Sequence, residues 1–352
     1  MEAAPAEGSG GSLAAGIREV DLLTFAMLGI GGPGFVADPF IVGPTARGQR
    51  VLFEVLEGYE GPGPSVKYIG SADVERDEDR GTARWRYLGP AIREDGRRLA
   101  FPYTFEHDGT LHCVPDATDL EGVPVPLGVY RLESGGWTRC ATLEVAGSDP
   151  VVFRYRERWW MCVGKLGDRL GGLRLYRSDS PLGGWERVGR RPMVRQRPLI
   201  RMGGRPLIDG TTVWLPFQCR EKGEPYGAAV RYVALDMRWP VPRVRAGRRG
   251  PRFSGPGGEA WCADGMHHVD VCPDGRFLVT DGRRNDREDM WRIGPRWSES
   301  DLRKTLLHGS GSGLRDVTVA GRDRRPVRDE RSRFTRLVRR ASSGDPGGTR
   351  SG

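Results

Sequence analysis

Ser148-Asp149-Pro150-Val151-Val152-Phe153 leads through the turn Tyr155-Arg156-Glu157-Arg158 into a second apolar run, Trp159-Trp160-Met161-Cys162-Val163. The stretch reads as a β-hairpin whose first strand opens on an acid followed by proline, a residue that suits the start of a strand because it has no ladder donor to lose. The pattern recurs. Asp38-Pro39-Phe40-Ile41-Val42 precedes Val51-Leu52-Phe53-Glu54, and Phe101-Pro102-Tyr103-Thr104-Phe105 precedes Leu111-His112-Cys113-Val114. Arg197-Pro198-Leu199-Ile200 precedes Val213-Trp214-Leu215, and Gly265-Met266-His267-His268-Val269 precedes Phe277-Leu278-Val279. Asp-Gly or another Gly-containing turn joins most pairs, and the flanking runs are rich in Val, Phe, Trp and Leu.

A third apolar run follows in four of the units, at Val66–Ile69, Val129–Leu132, Leu173–Tyr176 and Ala229–Val233, and a fourth strand is marked by Trp85, Trp137 and Trp185. Units of up to four short strands, repeated five times at about 45 to 65 residues with the last one short of strands, are the signature of a β-propeller. The expected fold is therefore all-β, a five-bladed β-propeller with disordered N- and C-terminal tails. Blades are expected near 37–90, 100–145, 147–190, 195–237 and 260–282. In a propeller the first strand of each blade lines the axis, so Asp38, Asp149, Arg197 and His267 would converge on one funnel. An Asp that merely caps its own turn is the alternative reading for each acid.

The chain has 352 residues and a net charge of +9, but residues 283–352 carry 18 Arg and Lys against 10 Asp and Glu, so nearly all of the excess lies there. The propeller itself is close to neutral, so the basic balance reports the tail and says little about nucleic-acid binding by the propeller, and no specific nucleic-acid partner is expected. Six cysteines, at 113, 140, 162, 219, 262 and 272, form no close pair and read as free thiols, mostly buried. No secretory leader or transmembrane segment is recognisable, and a cytoplasmic location is expected. Residues 1–16 read as a disordered N-terminus, 17–283 as the propeller and 284–352 as an Arg-rich, largely disordered tail. Val20 to Leu28 could close the ring as a strand or pack as a short helix, and Pro240 to Gly258 reads as an exposed loop.

The phrases Ala37-Asp38-Pro39-Phe40, Phe105-Glu106-His107-Asp108-Gly109, Ser148-Asp149-Pro150 and Asp179-Ser180-Pro181-Leu182-Gly183-Gly184-Trp185 resemble the five-bladed propellers of glycoside hydrolase families 43 and 32. Over roughly residues 35–283 the chain is more similar still to the propeller domain at the N-terminus of plant glucosamine inositolphosphorylceramide transferases and to its stand-alone microbial relatives. The resemblance implies Asp38 as base or nucleophile and Asp149 as the carboxylate that tunes the acid. It also implies a glutamate opening a later blade, where this chain has Arg197-Pro198. Glu54, Asp116 and Asp264 are the candidates to replace that acid.

Donors for sugar hydroxyls or a phosphate are expected from Arg197, Gln218, Arg220, Tyr226 and Lys165, with Trp261 at the mouth. His267 and His268, adjacent in a strand, would point to opposite faces, which excludes side-by-side chelation. No metal or cofactor is expected. Asp270 could share the site of the axial histidine. These residues suit hydrolysis or transfer at a glycosidic bond of a carbohydrate or glycolipid substrate. A non-catalytic glycan or glycolipid head-group module accompanying a separate glycosyltransferase, and a phosphate-using phosphorylase, are the alternatives.

Overall fold

The structure is a computed structural model and describes residues 17–59, 65–164, 172–190, 192–194, 199–219, 223–254, 261–285 and 291–308. Five antiparallel sheets follow one another in sequence as the blades of a propeller. Blade one holds β1 (Gly34–Pro44), β2 (Gly48–Glu57), β3 (Val66–Asp77) and β4 (Thr82–Ile92). Blade two holds β5 (Arg97–His107), β6 (Thr110–Asp119), β7 (Gly128–Glu133) and β8 (Gly136–Thr142). Blade three holds β9 (Ser148–Tyr155), β10 (Arg158–Gly164), β11 (Leu173–Ser178) and the two-residue β12 (Glu186–Arg187). The second strands are buried almost end to end, as in Val51–Leu56 and Trp159–Gly164, because they are covered on both faces by neighbouring blades.

In blade four the inner strand is split into β13 (Leu199–Met202) and β14 (Leu207–Asp209), both paired with β15 (Thr212–Cys219), and β16 (Ala229–Asp236) and β17 (Arg243–Ser254) complete the sheet. The break at Gly203–Arg205 has a packing cause. Gly204 bridges in parallel to Val269 of blade five, and a Cβ there would lie 1.8 Å from the Val269 carbonyl oxygen, so only glycine fits. β17 corrects the expected loop over 240–258. An outermost strand pairs on one side only, so its Arg, Gly and Pro content is no obstacle.

Blade five consists of β18 (Val269–Val271), β19 (Phe277–Arg283) and β20 (Trp291–Trp297). Leu23 supplies the seam: its N–H donates to the Ile293 carbonyl at 2.8 Å and its carbonyl accepts from Ile293 at 3.0 Å. Both expectations for Val20–Leu28 are thus partly met, since short 3-10 turns at Glu19–Asp21 and Phe25–Leu28 flank that single bridge. β20 and α1 (Leu302–His308) correct the boundary set at 283. Residues 291–295 of β20 are all buried, Arg292 included, so its arginines hid the strand in the sequence, and Leu302 and Leu306 of α1 join the apolar cluster of blades four and five. The expected disorder at 1–16 and 309–352 lies outside the described residues. All six cysteines are free, and only Cys140 is exposed. No described helix is long and apolar enough to cross a membrane.

Arg205 ties the inner strands together at the break in blade four. Its Nε donates to Asp270 Oδ1 at 2.8 Å and its Nη2 to Thr104 Oγ1 at 2.8 Å, while Asp270 Oδ2 accepts the Ile41 N–H at 2.8 Å. Blades one, two, four and five meet in that network, and the guanidinium lies over Phe40 and Tyr103. Asp270 is therefore a structural partner, not the neighbour of the axial histidine that the sequence suggests. Arg205→Met is expected to cost about 3 to 5 kcal/mol by stranding the buried Asp270 charge, with part of the loss regained in the Arg205→Met/Asp270→Asn double variant. Denaturant melts of the three proteins check this, and simple additivity would contradict it.

Candidate functional site

The inner strands of three blades share one backbone kink. Asp38, Phe101 and Asp149 take φ values of +50°, +49° and +49°, each directly before a proline. Non-glycine residues in this region cost on the order of 1 to 3 kcal/mol and persist only where the surroundings hold them. Two of the kinks are held by a carboxylate from the second strand of another blade: Asp38 N–H donates to Asp281 Oδ2 at 3.2 Å, and Asp149 N–H donates to Asp116 Oδ2 at 3.3 Å. Asp281 also accepts the His267 and His268 N–H groups at 3.0 and 2.9 Å.

Ring closure gathers these kinks into one buried cluster. Arg201 of β13 grips Asp149 with two nitrogens, Nη2 at 2.6 Å from Oδ1, and its Nη2 lies 3.9 Å from Asp116 Oδ2. Arg201 Nη1 donates to the Tyr226 hydroxyl at 2.9 Å, which donates in turn to Gln218 Oε1 at 2.8 Å. Lys67 Nζ of β3 sits 2.6 Å from Glu54 Oε1. Across the site, Asp38 Oδ1 is 3.8 Å from His267 Nδ1 and 3.5 Å from His268 Nδ1, and His267 Nδ1 is 2.6 Å from Asp281 Oδ2.

The cluster separates its carboxyls by protonation. Burial alone would raise Asp38, but His267, His268 and Arg201 outweigh it and hold the carboxyl well below the usual carboxylate range. Burial, reinforced by the Asp149 charge, pushes Asp116 up to about 7 against the pull of Arg201 and Lys67. Burial also raises Glu54, with Lys67 opposing. Desolvation lowers His267, but Asp281 and Asp38 overcome it and raise the imidazole above its ordinary value.

Of the residues singled out from sequence, Asp38, Glu54, Asp116, Asp149, Gln218, His267 and His268 are all buried in this cluster or its wall. Arg197, Arg220 and Lys165 lie outside the described residues. Asp264 is exposed, and its Oδ2 accepts the Asn285 N–H at 2.8 Å, so it anchors a loop rather than joining the carboxyls. Trp261 is not at a mouth: it is 4 % exposed and packs with Ile17, Leu22 and Cys262. The two histidines do not point apart, since both approach Asp38. They precede β18 in irregular backbone, where strand alternation does not apply.

Sequence reasoning missed Arg201, Lys67 and Asp281. Asp281 had a readable signal, for it interrupts the apolar second strand of blade five as Glu54 and Asp116 interrupt those of blades one and two. Arg201 was hidden by Arg197-Pro198, which imitates the repeat four residues earlier. As to metals, Asp38, His267 and Asp281 offer one ligand atom each within 4.8 Å of one another, a spacing already used by the short His267–Asp281 contact.

A family model described as glucosamine inositolphosphorylceramide transferase 1, N-terminal, matches residues 27–272. The chain belongs to this family. A search of curated proteins finds no match. Among solved structures the chain is similar to the family 32 β-fructofuranosidase BmSUC1 of Bombyx mori, at 13 % identity and a TM-score of 0.54 over 74 % of this chain and 59 % of that one. It therefore spans about three fifths of the silkworm enzyme's length. It is also similar to CoXyl43, a family 43 β-xylosidase/α-arabinofuranosidase from a compost microbial metagenome, at 13 % identity and a TM-score of 0.51 over 80 % and 94 % of the two chains. The α-L-arabinofuranosidase PaAbf62A of Podospora anserina matches at 13 % identity and 0.52 over 77 % and 92 %. These likenesses show the propeller fold.

The raised Asp116 has a thermodynamic signature. Its folded pKa lies above the unfolded value near 4, so the native state binds the extra proton and wild-type stability falls as pH rises from about 4 to about 7. Asp116→Asn removes that penalty. It is expected to be more stable than wild type by roughly 1 to 4 kcal/mol at pH 8, with the difference vanishing below about pH 4. Urea unfolding across that pH range checks it.

Proposed function

We propose that this chain cleaves or transfers at a glycosidic bond, with Asp38 as base or nucleophile and Asp116 as general acid. The observation that carries the reading is the pair of protonation states: two carboxyls buried in one cluster, one driven low and the other up to about 7. Glycosidic cleavage needs that division of labour, one carboxylic acid to protonate the leaving oxygen and one carboxylate to activate water or attack the anomeric carbon. Asp149, pinned by Arg201, lies beside Asp116, and its charge adds to the burial that raises Asp116, while burial raises Asp149 itself against the pull of Arg201. His267 and His268 hold Asp38 ionised. The hydrolase-like propeller fold and membership of the glucosamine inositolphosphorylceramide transferase N-terminal family both support a carbohydrate substrate.

A second reading rests on blade four. Arg201 occupies its inner strand, where the resemblance to the hydrolases calls for an acid, and a propeller without that acid could serve as a glycan or glycolipid head-group module beside a separate glycosyltransferase. Aryl glycosides separate the two. Asp38→Asn is expected to lower kcat at least 1,000-fold while the protein remains folded by circular dichroism. Asp116→Asn is expected to lose 100-fold or more on alkyl glycosides and far less on dinitrophenyl glycosides, whose leaving groups need no proton. The wild-type rate should fall on the alkaline side with an apparent pKa of about 7. Tight sugar binding with no release by wild type would establish the module instead.

A further inference from the structure

Arg283 ends β19 beside the cluster and is 7 % exposed. Its backbone pairs with the segment that leads into the histidines, the Arg283 N–H donating to Gly265 and the Asp264 N–H to Arg283, each within 3.0 Å. Its guanidinium lies 5.5 Å from the centroid of the Trp291 ring, and the same ring stacks on His267 at 3.9 Å with an interplanar angle of 19°. Gly227 closes this wall: a Cβ there would lie 2.6 Å from Trp291 and 3.3 Å from His267. Tyr226, the next residue, stands at 5.6 Å from the His267 ring and is 40 % exposed, so the wall reaches the surface at that point.

The buried guanidinium is not compensated. Arg201, Arg205 and Arg252 each face a carboxylate, at Asp149, Asp270 and Glu224. Among the described residues no carboxylate oxygen pairs with Arg283. Its one hydrogen bond runs 3.4 Å to the Asp264 carbonyl, and its Nε has no partner. The same burial lowers its affinity for a proton below the ordinary arginine value, against the weaker pull of Asp264, Tyr226 and Tyr59. A guanidinium out of water with unused donors is costly, and a planar donor fork is the side chain best matched to a phosphate or carboxylate. Trp291 supplies an aromatic face for the cation but no anion.

We infer that Arg283, at the edge of the Asp38 cluster, binds an anionic group, a phosphate or carboxylate, carried on the substrate of the site. The inference rests on the glycosidic reading and narrows its substrate class to anionic glycosides, with Arg283 as the specificity-determining residue. The reacting carbon would sit by Asp38 and Asp116, and the anion would be held on the far side of the His267–Trp291 stack.

Calorimetric titration of the full chain with glucose 6-phosphate, inorganic phosphate and glucose tests it. Wild type is expected to bind glucose 6-phosphate at least 10-fold more tightly than glucose, Arg283→Gln to lose that advantage, and Arg283→Lys to recover part of it. Binding of glucose itself should be the same in all three. Inorganic phosphate binding as tightly as the sugar phosphate would mark a free-anion site, as in phosphorolysis, and overturn the assignment of the anion to the substrate. Equal binding of glucose 6-phosphate and glucose by wild type, or an advantage unchanged in Arg283→Gln, would overturn the inference and leave Arg283 a packing residue. Should Arg283→Gln fail to fold, the wild-type comparison and Arg283→Lys still decide the matter. Binding is read here and not turnover, so an inactive chain would leave the result intact, and loss of anion binding would leave the aryl glycoside assay standing.

Discussion

Like charges withdrawn from water repel, and this propeller buries Asp38, Glu54, Asp116, Asp149 and Asp281 in one place. The arrangement is stable only because positive groups are delivered to the same spot from different blades: Lys67 from β3, Arg201 from β13, and His267 from the entrance to β18. Three positive groups do not match five carboxyls one for one, and burial raises Glu54, Asp116 and Asp149 above their ordinary values. Asp116 is raised to about 7 by burial and by the neighbouring Asp149 charge, against the pull of Arg201, 3.9 Å away, and of Lys67. The proposed chemistry of the site rests on that charge balance.

Backbone strain and charge are linked in the same cluster. Asp38 and Asp149 occupy left-handed kinks that a residue before proline resists, and each kink is held by a carboxylate of a neighbouring second strand. Blade two has the same kink at Phe101, an apolar residue that packs at 4.9 Å against Phe40 and at 5.4 Å against His268. One repeated backbone feature therefore serves two ends, presenting an acid in blades one and three and filling the floor of the site in blade two.

The propeller was legible because its signal is repeated: an apolar run, a turn and a second apolar run, five times over, with a proline in four of the five units; Pro39 and Pro102 nevertheless lie inside β1 and β5, directly after the kinks, and do not start strands. Asp38, Asp149, Glu54 and Asp116 were legible for the same reason, each standing at a fixed place in its unit. What escaped were features the repeat does not encode. Arg201 lies where blade four's inner strand is broken, β17 and β20 carry arginines that hide their pairing, and Trp261 is covered by Ile17 and Leu22, residues four blades earlier in the chain. His267 and His268 were misread because alternation was assumed in a segment that is not yet a strand.

The protonation of Asp38 and Asp116 in the free protein is the most direct test. Carbon-13 NMR of protein labelled at aspartate carboxyls, assigned with the Asp38→Asn and Asp116→Asn variants, follows each group through a pH titration. The account predicts that the Asp116 signal moves with a midpoint of about 7 while the Asp38 signal stays that of a carboxylate down to the acid limit of the folded state. Two signals that both titrate near the ordinary aspartate value of about 4 would contradict it.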